Sequence, residues 1–338
     1  MDIPRSFACR LPVDSKGSIL ILAFWALSLL SLFAIYMGQG VRQKLALMDR
    51  LIQRSQLYGV AEAGARRAEA QLRKPDVDVA INSLKDPWAQ AQPIYKDIKV
   101  GEGEFSLNIV DEERKVNINT AGLDVLKRLF REVLSIDDAS SEEIASAIID
   151  WRDADSVSLA LGAENNYYST LKYPYPCKDA RFDILDELLL VRGVTATIYN
   201  SVKDHLTIYG QGQVNINTAE SIVLKSLGLD KKLADKVMLF RAGQDGEDRT
   251  EDDNVFTGTA NIAPQLSQFT QLSPEELTIL SQFASSGLVG VTSEYFTVFS
   301  KAGYGYKKGA RSVVCVFQRI LLEGGGYGTQ ARFWRIAQ

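Results

Sequence analysis

Two short stretches, Asp150-Trp151-Arg152-Asp153-Ala154-Asp155 and Leu161-Gly162-Ala163-Glu164-Asn165-Asn166, hold the residues best suited to chemistry in this 338-residue sequence. Asp153, Asp155, Glu164 and Asn166 offer carboxylate and amide oxygens within one glycine-containing segment. Hard cations such as calcium are held by about six to eight such oxygens in a flexible loop, so Ca2+ is the cofactor these four residues suggest. Their spacing is not that of an EF-hand, and a helix end followed by a solvated acidic loop is the alternative. Other chemistry is poorly served. The single histidine, His205, sits in SVKDHL, where a packed or surface histidine is the ordinary role. One histidine excludes multi-histidine metal sites and leaves little for general acid–base work, so an enzyme is not expected. Cys9, Cys177 and Cys315 are too few for a disulfide scaffold, and pairing of Cys177 with Cys315 would need a proximity that sequence cannot supply. With 38 basic and 42 acidic residues, the net charge of −4 does not favour a general polyanion binder.

The acidic segment lies inside a long helical middle, about 116–285, that contains a repeat. Val116-Asn117-Ile118-Asn119-Thr120-Ala121 recurs as Val214-Asn215-Ile216-Asn217-Thr218-Ala219, each followed by a leucine-bearing helix. We read each copy as a short extended approach whose Asn or Thr caps a helix N-terminus. A third helical segment, FDILDELLLVRGVTATIYNSVKDHL, turns at Gly193 and resembles half of a helix-hairpin-helix unit. Such units bind DNA by pointing loop amides at a phosphate, which makes a membrane-anchored DNA-binding or uptake protein the alternative function. The hairpin glycines are reduced to Gly193 and Gly228, and the surroundings are acidic, so packing modules and no nucleic-acid partner are expected. Alternating polar and apolar residues predict strands on both sides of this middle. Ile94–Val100 and Gly103–Val110 read as a hairpin, and Glu294–Ala302 and Arg311–Arg319 as two later strands. One sheet interrupted by an insertion follows. Between Pro75 and the first strand lie a linker and a further amphipathic piece, Asp76 to Gln92.

The N-terminus is the most distinctive segment. Residues 1–17 are polar, and Ser18 to Val41 carries no charge. At about 1.5 Å per residue that run is long enough to span a bilayer's hydrocarbon core. A secretory signal would be shorter and end in a small-residue cleavage site, of which Gly38-Gln39-Gly40 is a poor version; a plain membrane anchor also fits. Helical spacing then continues through Leu45, Met48, Leu51 and Ile52 to about Lys74, where Pro75 stops it. A single helix from Ser18 to Lys74 would be about 85 Å long, apolar all round at first and amphipathic later.

Lys16-Gly17 before an apolar helix that begins at Ser18 resembles the type IV pilin and pseudopilin family. The resemblance implies cleavage between Gly17 and Ser18 by a prepilin peptidase on the cytoplasmic side, with methylation of the Ser18 amine. Major pilins of that family carry glutamate at the fifth mature position, where this chain has Leu22. That carboxylate would pair with the amine of the neighbouring subunit already in the filament. A subunit that never docks beneath another has no amine to neutralise, so Leu22 suggests a tip position.

The interrupted sheet, the duplicated VNINTA, DWRDAD with GAENNYY, ELLLVRGVT and Leu22 together look like the K-type minor pseudopilins of bacterial type II secretion. That resemblance implies an α+β fold: a pilin-like long N-terminal helix plus antiparallel sheet, with a large all-α insertion of two helix-hairpin-helix/SAM-like subdomains. The expected divisions are a leader (1–17), the helix (18–75, spanning the membrane at about 18–41), and the first pilin-like part (76–115). The helical insertion (116–285, divided at about 212) and a second β region (286–338) complete them. It also implies Ca2+ in the helical part and a tip complex with I- and J-type minor pseudopilins. The expected protein is a single-pass inner-membrane protein with its bulk in the periplasm. It would initiate a pseudopilus with the other pseudopilins of the filament, and its head is placed to meet secreted substrate or the outer-membrane channel.

Overall fold

A computed structural model describes residues 15–73, 81–89, 95–305, 307–322 and 326–337. The chain falls into two units, 1–56 and 57–338, divided within its first helix. That helix, α1, runs Ser15–Leu72. In the first unit its apolar side chains are exposed, among them Ile19, Leu20, Leu22, Phe24, Trp25 and Leu30. The helix is long and apolar enough to cross a membrane. It begins before the expected Ser18 and ends before the expected Lys74; Pro75 lies outside the described residues, as do residues 1–14 of the expected leader.

In the second unit the remainder of α1 is amphipathic. Leu57, Ala61, Ala65, Ala68 and Leu72 recur at three- and four-residue spacing and are buried. They pack with Phe105, Leu107, Val298 and Phe317 in one apolar core. Alanines on this stripe let helix and sheet approach closely. At Gly64 the approach is tightest: a Cβ there would collide with Ser300 Oγ and lie 2.8 Å from the Phe105 ring.

The sheet has five antiparallel strands, β1 (Ile98–Val100), β2 (Gly103–Asp111), β7 (Tyr295–Tyr304), β8 (Lys307–Leu321) and β9 (Tyr327–Ala337), in the spatial order β1-β2-β7-β8-β9. The expected Ile94–Val100 strand is shorter, because Tyr95 turns inward to donate its hydroxyl to Pro87 O and Asp97 adopts a left-handed φ of 51°; Ile94 lies outside the described residues. The expected amphipathic piece is represented by 81–89, a set of turns with Leu84, Trp88 and Ala89 buried. Asp111 pairs with Phe296 across β2 and β7. The chain therefore leaves the sheet after Asp111 and returns to the adjacent position at Tyr295, a wider insertion than the expected 116–285.

That insertion is two helical subdomains sharing a core. The first holds β3 (Val116–Asn117), α2 (Leu123–Leu134), α3 (Asp138–Arg152), α4 (Asn165–Tyr168), α5 (Ala196–Val202) and β4 (Leu206–Thr207). The second holds β5 (Val214–Asn215), α6 (Ser221–Ser226), α7 (Lys231–Arg241), α8 (Ile262–Phe269), α9 (Pro274–Ser285) and β6 (Val289–Gly290). Each is closed by a two-residue parallel bridge from its VNINTA segment: Val116 to Leu206 in one, Val214 to Val289 in the other. The third expected helical segment resolves into a 3-10 turn at Leu185–Leu190, α5 and a 3-10 turn at Lys203–His205, with Gly193 at φ 82° between them.

The repeat does not cap helices as expected. The caps of α2 and α6 are Gly122 and Glu220, neither making a side-chain cap bond. Asn119 instead clamps the backbone of Phe182, donating from Nδ2 to its carbonyl and accepting its N–H at Oδ1. Asn217 does the same to Phe256. Arg152 donates to the carbonyls of Ile118 and Ala121, and Arg241 to those of Ile216 and Ala219. Each repeat is thus a polar clasp that satisfies buried backbone groups of its subdomain.

Asp111-Glu112-Glu113 anchor both subdomains at the point where the chain leaves the sheet. Asp111 accepts from Thr218 and Ser293, Glu112 from Thr207 and Thr297, and Glu113 from the backbone of Glu294 and Tyr295. Burial, then the neighbouring Asp111 charge, holds the Glu113 carboxyl well above the usual carboxylate range.

Candidate metal centre

Asp150 builds the acidic segment around itself. It lies fully buried in the last turn of α3, and its carboxylate accepts the Leu159 N–H and the Ser158 hydroxyl. Any side chain at Gly162 would strike that carboxylate, so only glycine lets the loop fold over Asp150 and deliver Glu164. Arg192 secures the other side, donating to Gly162 O and Glu143 while lying 5.0 Å from the Tyr167 ring centroid. Beneath, Trp151, Tyr168 and Tyr175 meet at ring separations of 5.2 and 5.4 Å, a rigid apolar floor.

Three of the four expected ligands come together. Asp153, Asp155 and Glu164 each place a carboxylate oxygen within 4.8 Å of the other two. Asp153 is the C-terminal cap of α3, where the helix end contributes its own partial negative charge. Glu164 occupies the N-cap of α4 yet makes no cap bond. Both of its oxygens are buried without a hydrogen-bond partner, as are Asp153 Oδ1 and Asp179 Oδ1. Burial, followed by the charges of Asp155 and Asp150, raises the Asp153 carboxyl above its ordinary value; burial, followed by Asp179 and Asp150, raises Glu164. Unpaired buried carboxylates repelling one another are costly. A hard cation would relieve that cost by taking these oxygens as ligands, and the residues fit one.

Asn166 is not brought in. It is exposed on α4 and lines a surface depression with Pro174 and Tyr175, because the turn of helix that buries Tyr168 carries Asn166 outward. Its neighbour Asn165 is spent on the backbone, accepting the Cys177 N–H at Oδ1. A second set meets at the same glutamate: Glu164, Cys177 and Asp179 also bring their ligand atoms within 4.8 Å of one another. Cys177 and Asp179 lie well beyond Glu164 in sequence, and no spacing rule connects them to it. Cys177 and Cys315 are buried and free, one in the helical core and the other in the sheet core, so they do not pair. Burial pushes each thiol up to about 12. His205, partly buried, places Nδ1 3.2 Å from Glu220 Oε2.

Gly17 and Ser18 fall in the first turns of α1, and Leu22 is 70% exposed one turn further.

Residues 103–211 match the family described as type II secretion system (T2SS), protein K. A type II secretion system protein K of Aeromonas hydrophila is 27% identical over 241 residues, 64% of this chain and 71% of the relative. One from Pectobacterium carotovorum subsp. carotovorum is 30% identical over 90 residues, 27% of each chain. A chain in the crystal structure of the GspK-GspI-GspJ complex from the enterotoxigenic Escherichia coli type 2 secretion system shares the fold. Its TM-score is 0.65 at 16% identity, covering 86% of this chain and 99% of that one. The chain therefore carries a domain of the type II secretion system (T2SS), protein K family at residues 103–211 and is similar beyond it to proteins of that name.

Proposed function

We propose that the protein is a minor pseudopilin that caps the pseudopilus tip and starts its assembly, and that it is not an enzyme. The observation that carries this reading is α1 itself. Its first part is charge-free from Ser18 to Val41 with Leu22 at the fifth position after Gly17, and its later part, from Leu57, is seated on an antiparallel sheet. A charge-free helix can insert beside sister helices, and leucine at that position needs no amine above it. Cleavage between Gly17 and Ser18 by a prepilin peptidase and methylation of Ser18 precede assembly. The helical insertion faces the periplasm, and I- and J-type minor pseudopilins are the partners, as the composition of the structurally similar complex supports. Asp153, Asp155 and Glu164 hold Ca2+, which fixes the loop between α3 and α4.

Co-expression of the full chain with its cognate I- and J-type pseudopilins, followed by detergent extraction and affinity isolation through this chain, tests the reading. A stoichiometric three-chain assembly is expected. Recovery of this chain alone, with both partners present in the same membranes, would contradict it.

A further inference from the structure

Around α4 the ligand atoms form two overlapping sets, Asp153–Asp155–Glu164 and Glu164–Cys177–Asp179. The first is all oxygen, whereas the second contains a thiol. A buried cysteine by itself is a small hydrophobe, and Cys177, 5% exposed, could be no more than that. Its surroundings argue otherwise. Glu164 is 4% exposed and has no hydrogen-bond partner on either oxygen, and Asp179 Oδ1 is likewise orphaned. The thiol makes a weak 3.7 Å contact to Asp150 O and also interacts with the Asp179 carboxyl beside it. Two unsatisfied carboxylates and a thiol thus converge on one space from three separate positions in the chain.

Calcium is bound through oxygen alone. Zinc-class ions accept mixed sulfur and oxygen donors, and three protein ligands with one open position is a recurrent arrangement for them. We propose that Glu164, Cys177 and Asp179 form a three-ligand seat for a thiophilic divalent cation, sharing Glu164 with the hard-cation set so that soft and hard ions compete for one carboxylate. This rests on the reading of the cluster as a cation site and adds to it a second class of ion. Binding replaces the S–H bond by a sulfur–metal bond and releases the proton to solvent, with no change of oxidation state.

Cadmium chloride is the probe, titrated into the detergent-solubilised full chain while the ultraviolet sulfur-to-cadmium charge-transfer band is followed. The wild-type band is expected to saturate at one ion per chain and to need more cadmium when calcium is added. Cys177→Ser is expected to abolish the band and weaken cadmium binding at least about tenfold, within the range known for metal-site substitutions, with calcium affinity changed less than about twofold. Cys9→Ser and Cys315→Ser are expected to keep the band. Cys177→Ala repeats the test, and an unchanged metal-free melting temperature certifies either variant as folded. Cadmium bound without the band, or a band that survives Cys177→Ser, would overturn the proposal. If calcium still raised the melting temperature in that case, the hard-cation site would stand. Conversely, a Cys177-dependent band with no calcium response would remove the hard-cation site and overturn the competition, leaving the thiol-containing seat alone.

Discussion

Glu164→Gln is the substitution for which a cation site and an ordinary structural acid give opposite signs. It removes one charge from a set whose carboxylate oxygens lie within 4.8 Å of one another. Two unit charges at that 4.8 Å separation repel by about 3.5 kcal/mol at an effective dielectric of about 20. Proton uptake by the raised carboxyls and water at the exposed Asp155 reduce this, leaving on the order of 1–2 kcal/mol for the substitution. At roughly 2–4 °C per kcal/mol for a unit of this size, the variant should melt about 2–8 °C above wild type in chelator. Calcium at a hundred times its Kd should raise the wild-type stability by about 2.7 kcal/mol and leave the variant nearly unmoved. The two melting curves should therefore cross as calcium is added, read by circular dichroism or differential scanning fluorimetry of the solubilised chain. A variant that melts below wild type in chelator, or that gains as much from calcium, would refute the assignment of Glu164 as a ligand.

Glu113→Gln tests the buried anchor. A carboxyl raised in the folded state favours folding below its unfolded value, near 4.3, and that contribution is lost as pH climbs through the folded value, with a slope of about 1.4 kcal/mol per unit. Urea unfolding from about pH 4.5 upward should therefore show wild-type stability falling relative to Glu113→Gln; parallel curves would count against a raised Glu113. Asn217→Ala strands the N–H and carbonyl of Phe256, and should cost about 2–4 kcal/mol in the same assay; a loss under about 0.5 kcal/mol would deny the clasp. Gly64→Ala should cost about 1–3 kcal/mol by overpacking the seat of α1, partly recovered by Ser300→Ala, which removes the nearest atom; no recovery would place the strain elsewhere. N-terminal sequencing of membrane-extracted protein should begin at Ser18, and a start after Gly40 would contradict prepilin-type processing.

Much of the architecture was legible because its signals are local. A charge-free run followed by three- and four-residue spacing could hardly be other than one long helix. Alternation marked β7 and β8, and VNINTA declared its own duplication. The misses share a cause as well. β9 is an edge strand whose YGTQARFWRIA has no clean alternation, since neither face is fully buried. The role of the repeat was misread because an Asn that grips a backbone 63 residues away, as Asn119 grips Phe182, leaves no mark near itself. The candidate site divides along the same line. Asp153, Asp155 and Glu164 share a segment and could be grouped on sight. Asp179 and Cys177 reach it only through tertiary folding, past the aromatic floor, and Asn166 was lost to the turn of a helix only four residues long.

The central claim is positional, and labelling tests it most directly. Pseudopili overproduced with this chain carrying an epitope in the helical insertion can be marked with gold-conjugated antibody and viewed by electron microscopy. The account predicts one labelled end per filament and a bare shaft. Label spaced along the shaft, or filaments that form in normal number with none, would contradict it.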